Sequence, residues 1–173
     1  MTTDRKTKLQ KTDVSRPKTI GLVMPISAMG EKHTEKHWKK VCKCLSKKMF
    51  KQSTTKMVSE RDCHGFITST IINNLNNDDV VICDITCSNP NVMFELGVRI
   101  AFDKPVVIVK EKDGKDSVFD IRTIRYIEYP ADLNSTGMKK FFSELKKKVL
   151  EVFKSSKDKK KKTLLQQYSV SRK

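Results

Sequence analysis

The stretch Asp79-Val-Val-Ile-Cys-Asp84-Ile-Thr-Cys-Ser-Asn89-Pro-Asn91-Val-Met-Phe-Glu95-Leu-Gly97 decides the fold. Asp79 to Ile85 is nearly continuous in apolar side chains. A strand wetted on one face alternates, whereas one covered on both faces does not, so this run predicts a central strand of a parallel sheet. Thr86 to Asn89 is a polar turn. Pro90 suits the first position of a helix. Behind it, Met93, Leu96, Gly97, Ile100 and Ala101 recur at helical spacing and predict the inward stripe.

Outward from this unit, strands and helices alternate. Thr19 to Met24 reads as a short strand stopped by Pro25. Glu31 to Phe50 carries Trp38, Val41, Cys42, Leu45 and Met49 at helical spacing. Thr54 to Ser59 is a weak strand. Gly65 to Leu75 predicts a helix with Phe66, Ile67, Ile71 and Leu75 inward. Pro105 to Val109 is another buried strand, followed by a charged loop from Lys110 to Ser117. Ile124 to Tyr129 is a last short strand. Met138 to Phe153 is an amphipathic helix on Met138, Phe141, Phe142, Leu145, Val149 and Val152. This alternation predicts a three-layer α/β domain, a parallel sheet of about five strands with helices on both faces.

The length of 173 residues suits one domain with tails. The net charge of +16 is uneven: residues 1–18 contribute +4, residues 154–173 contribute +7, and the 135 residues between them only +5. A mildly basic domain, 19–153, therefore carries two basic tails expected to be disordered. The tail segment Lys157-Asp-Lys159-Lys-Lys-Lys162 offers a contact for nucleic acid or another polyanion. No apolar run reaches the roughly 18 residues of a membrane span. Met1 to Lys18 lacks the apolar core of a secretory signal, and five cysteines without an export signal predict reduced thiols in a cytoplasm.

In an open parallel sheet, ligands bind beyond the carboxyl ends of the strands. Asp84 stands at that end of the central strand. Ser88 or Asn89 can cap the next helix, whose first N–H groups suit an anion. Glu95 lies in its second turn and leans toward the helix N-terminus, with Asn91 one turn earlier. The sequence thus predicts two carboxylates and two amides converging on one crevice. The plainer alternative pairs Glu95 with Arg99 at i+4 and leaves Asp84 as a turn cap.

These residues resemble the nucleoside 2-deoxyribosyltransferase-like group, which includes bacterial nucleotide-binding domains related to TIR domains. The resemblance lies in Asp84-Ile-Thr, Asn89-Pro-Asn91-Val, Glu95-Leu-Gly97 and Asp103-Lys-Pro105-Val-Val-Ile. Gly21-Leu-Val-Met24-Pro25 resembles the group's first strand and ligand loop, and Phe119-Asp120-Ile-Arg-Thr-Ile-Arg125-Tyr-Ile-Glu-Tyr129 its last strand motif. The resemblance implies a flavodoxin-like sheet and chemistry at the N-glycosidic bond of a nucleoside, nucleotide or NAD, which enters as substrate and not as a cofactor. It implies Glu95 as nucleophile or oxocarbenium partner, with Asp84 orienting the sugar or the glutamate. Pro25, Ser27, Ser88, Asn89, Asn91 and Arg99 are the implied ligand contacts, and a homo-oligomer the implied assembly. Phe94 and Arg99 depart from the group's usual pattern, which leaves a catalytically silent nucleotide sensor as the alternative.

Other signals are weaker. His33 and His37 share a helix face at i, i+4, but the zinc-protease pattern puts Glu directly after the first His, and no third ligand has fitting spacing. No metal is expected on those grounds. Cys42 and Cys44, two apart on a helix, face different ways. Asp62-Cys63-His64 is a loop cluster. No Gly-rich phosphate loop with a following Lys-Ser/Thr occurs.

Overall fold

The computed structural model describes residues 16–46, 49–60, 67–112, 125–133, 136–158 and 165. Its elements are β1 (Thr19–Val23), α1 (Glu35–Leu45), β2 (Thr54–Met57), α2 (Ile67–Asn77), β3 (Val80–Asp84), a 3-10 turn at Thr86–Ser88, α3 (Pro90–Ala101), β4 (Val106–Glu111), β5 (Ile127–Tyr129) and α4 (Thr136–Lys157). The strand order is β2-β1-β3-β4-β5 and every pairing is parallel. This is the flavodoxin-like winding, and its direction reverses between β1 and β3.

Alternation along the strands separates two cores. Ile20, Leu22, Val80, Ile82, Val107 and Val109 pack with α1 and α4 through Trp38, Val41, Leu45, Phe141, Leu145 and Val149. Val23, Val81, Cys83, Ile85 and Ile108 pack on the other face with Leu75 of α2 and Val92 and Leu96 of α3. All five residues of β3 are buried, as its unbroken apolar run requires. Gly21 is needed where β1 runs past the start of β3, because a Cβ there would collide with the Asp78 carboxylate.

Several boundaries move. Helix α1 starts at Glu35, not Glu31, because Thr34 caps it by accepting from His37 N. Strand β4 runs on through Lys110 and Glu111, both buried, where a loop was expected. On α3 the buried positions are Val92, Leu96 and Arg99, while Gly97 and Ala101 are exposed. Ile67 is exposed at the start of α2. Helix α4 extends to Lys157, four residues into the segment assigned to the basic tail. The tails 1–15 and 159–164 with 166–173, Asp62-Cys63-His64, Phe66, and residues 119–124 of the last motif lie outside the described residues. Among the described residues, no helix is long and apolar enough to cross a membrane.

Candidate functional site

The carboxyl ends of β1, β3 and β4 carry the site. After β3 the chain turns sharply, with Cys87 (φ 62°) and Ser88 (φ 50°) both left-handed. Residues with a Cβ adopt this conformation at a cost of order 1 kcal/mol each. The turn launches α3 from Asn89, whose Oδ1 accepts from Asn91 N at 3.0 Å and Val92 N at 3.2 Å. Its Nδ2 reaches Met29 Sδ at 3.3 Å and so ties the β1 loop to α3. Pro25 is buried under that loop, while Ile26 and Ser27 are exposed on it. Asn91 is exposed as well. Of the two caps the sequence offered, Asn89 forms it, and its side chain occupies two of the amide donors that would face an anion. Ser88 Oγ, in contrast, is shielded from water and has no hydrogen-bond partner among the described residues.

Glu95 is half-buried on α3. Desolvation by burial raises its pKa from 4.5 to about 7. At neutral pH this carboxyl is therefore near half-protonation. Its charge acts on the Cys83 thiol, on the α3 face of the sheet; that thiol is pushed well up by burial first, then by Asp84 and Glu95.

Asp84 takes a different place. It is fully buried and three donors hold its carboxylate: Thr86 N and Oγ1 donate to Oδ1 at 3.0 and 2.6 Å, and Tyr129 Oη donates to Oδ2 at 2.7 Å. Burial raises its pKa, against the lowering effect of these donors. The Asp84 carboxylate is held by Thr86 and Tyr129, while Glu95 projects from α3, and both charges act on the Cys83 thiol. Asp84 locks the turn that launches α3 and acts as a positioning residue.

Arg99 leaves the site altogether. It is buried at the opposite end of the sheet, where Nη1 donates to Leu75 O, Nη2 to Asp78 O at 2.9 Å, and Nε and Nη2 to Pro105 O at 3.1 and 2.8 Å. Burial lowers its pKa to about 10, with Asp78 and Asp79 opposing, so it remains cationic at neutral pH. It neither pairs with Glu95 nor faces a ligand at the carboxyl ends. A cation placed on the last carbonyls of α2 and the start of β4 is a structural clamp.

A second cluster lies at the same end of the sheet, on the α1 face. Glu111 closes β4 with no exposed surface. Its Oε1 is 3.1 Å from His33 Nε2, and its Oε2 is 3.1 Å from His37 Nε2. His33 Nδ1 is 3.3 Å from Cys87 Sγ. Three features of α1 bring the histidines together. Thr34 caps the helix, which leaves His33 just before the cap and His37 in the first turn. Trp38 stacks on His33 with ring centroids 5.4 Å apart, the staple arrangement of a helix start. The two imidazoles meet edge to face at 5.0 Å. Burial lowers the pKa of His37, with Glu111 opposing. The backbone N of Glu111 donates to Thr86 Oγ1 at 2.8 Å, and Thr86 Oγ1 donates to Asp84, so one hydrogen-bond chain joins β4, β3 and β5. The three ligand atoms of His33, His37 and Glu111 lie within 4.8 Å of one another, a spacing that could hold a metal ion.

Sequence reasoning missed Glu111, Cys87 and Tyr129 as members of this end of the sheet. The signal available was the pattern Val106-Val-Ile-Val-Lys-Glu111, where strand alternation continued past Val109 places Glu111 on the same face as Val107 and Val109.

No family model matches this chain, and no curated protein matches it. Among solved structures the chain is similar to a 2-desoxiribosyltransferase from Leishmania mexicana, at 15% identity over 76% of this chain and 98% of that chain, with a TM-score of 0.49. The flavodoxin-like class stands on strand order, parallel pairing and helix layers.

Proposed function

We propose that the domain acts at the N-glycosidic bond of a nucleoside, with Glu95 as the reacting carboxylate. The observation that supports this most is a half-buried Glu95 in the second turn of the helix that follows the carboxyl end of β3, where burial raises its pKa to about 7. In the reading offered, the ionised Glu95 attacks C1′ or stabilises the oxocarbenium ion that forms there. The base leaves with the glycosidic electron pair and takes up a proton. Water or an acceptor base then releases the sugar from the carboxylate, as in retaining glycoside chemistry. The capped amides at Asn91 and Val92 favour a nucleoside over a nucleotide or NAD, because a phosphate would have to displace the Asn89 side chain. Contacts from Ser27 and Asn91, a homo-oligomeric assembly and tail binding to a polyanion belong to the same proposal.

The test is chromatographic. Wild type and Glu95→Gln are incubated with ribo- and deoxyribonucleosides, their monophosphates and NAD, with and without an acceptor base. Free base from wild type alone supports the reading. Equal release by Glu95→Gln excludes Glu95.

A second reading is a sensor that binds a nucleoside without turnover. The burial of Asp84 among Thr86 and Tyr129 favours it, because that carboxylate is engaged in holding the turn and not in assisting Glu95. This reading predicts a ligand-dependent rise in melting temperature and no product above the Glu95→Gln control.

A further inference from the structure

We propose that His33, His37 and Glu111 form a binding site for one zinc ion at the carboxyl end of β4.

The donor set is the first argument. Two imidazole nitrogens and one carboxylate suit zinc, whereas magnesium and calcium call for oxygen ligands throughout. Around zinc, with bonds of about 2.0–2.1 Å, neighbouring tetrahedral ligand atoms stand about 3.3 Å apart. His33 Nε2 is 3.1 Å from Glu111 Oε1 and His37 Nε2 is 3.1 Å from Oε2, one histidine at each carboxylate oxygen. All three ligand atoms lie within 4.8 Å, so small side-chain rotations complete the set.

The second argument is polar bookkeeping. His37 Nε2 and Glu111 Oε2 are shielded from water, and neither has a hydrogen-bond partner among the described residues, although they lie 3.1 Å apart. The atoms are close but are not aligned as donor and acceptor. The pair stands at ion-pair distance, with the histidine charged only if protonated, and a cation between the two atoms would satisfy both. A buried carboxylate also needs a compensating charge. The Lys32 ammonium is 3.8 Å from Oε1, but its side chain is 63% exposed and well hydrated.

The third argument is the surrounding support. A metal-bound histidine normally holds its other ring nitrogen in a hydrogen bond, which sets the tautomer. His33 Nδ1 has Cys87 Sγ at 3.3 Å and so turns Nε2 toward Glu111. Trp38 stacks on the His33 ring, and Thr86 holds the Glu111 backbone. Three protein ligands leave one position for water, the composition of zinc sites that take part in chemistry. The site does not depend on Glu95 or on the glycosidic reading.

The test uses the full chain, stripped with a chelator and titrated with zinc chloride by calorimetry. Expected is about one zinc per chain, with a melting temperature raised by about 5 °C or more at saturating zinc. Cobalt in place of zinc should give the visible absorption of a tetrahedral site. His37→Gln and Glu111→Gln should keep the wild-type circular dichroism and lose stoichiometric zinc. His37 is the less buried ligand, so His37→Gln decides the question if Glu111→Gln does not fold. His64→Gln should bind as wild type. Absence of binding to the stripped protein, wild-type binding by His37→Gln, or loss of binding in His64→Gln overturns the proposal.

Discussion

Tyr129 Oη donates a 2.7 Å hydrogen bond to Asp84 Oδ2, joining the end of β5 to the end of β3 beneath the turn that launches α3. Burial, reinforced by the Asp84 charge, pushes the Tyr129 phenol far above its usual range, so it stays a donor. Tyr129→Phe leaves one oxygen of a buried carboxylate without its donor. A loss of about 1–3 kcal/mol is expected in denaturant unfolding. If stability is unchanged, the network is not holding the turn.

Arg99 supplies a prediction that separates clamp from ligand contact. Arg99→Met withdraws the guanidinium donors from the carbonyls of Leu75, Asp78 and Pro105, the last of which keeps Val81 N at 3.1 Å. Stability should fall by about 3 kcal/mol. At a temperature where the variant stays folded, nucleoside affinity in a thermal-shift or calorimetric titration should match wild type. Arg99→Lys should recover little, because one ammonium does not reproduce the planar fork.

Glu95 ties function to pH. Its folded-state pKa of about 7 lies above the ordinary 4.5, so the folded chain binds more protons in that interval and stability falls as pH rises through it. Glu95→Gln should melt with wild type at pH 4 and above it at pH 8. The gain is about 1 kcal/mol, since the carboxyl keeps part of its contact with water. For a carboxylate that must be ionised to react, kcat/KM should rise with pH and level off above the pKa of about 7. A flat profile across that range would count against Glu95 as the reacting group.

Gly21 and Asn89 test the backbone at opposite ends of β3. Gly21→Ala drives a methyl into the Asp78 carboxylate between β1 and β3, and should cost about 1–3 kcal/mol. Asn89→Ala removes the cap of α3 and should cost about 1 kcal/mol. It also frees the amides of Asn91 and Val92. Nucleoside monophosphates should then gain affinity relative to nucleosides. An unchanged preference would show that phosphate does not approach this helix end.

The sequence by itself determined the class of fold. The unbroken run from Val80 to Asp84 could only be a strand covered on both faces, and Pro90 marked the start of α3 correctly. Those are short-range properties, written in neighbouring side chains. The half-buried setting that shifts Glu95, the inward turn of Arg99 and the enclosure of Asp84 were decided only by tertiary structure. Helical spacing placed Arg99 one turn after Glu95 but did not reveal that its long side chain reaches back to the far end of the sheet. The same holds for His33 and Glu111, 78 residues apart. Their meeting depends on the β2-β1-β3-β4-β5 winding, on the cap at Thr34 and on two further residues of β4. No local pattern encodes a contact set by strand order, so the histidine pair looked incomplete until the sheet supplied its carboxylate.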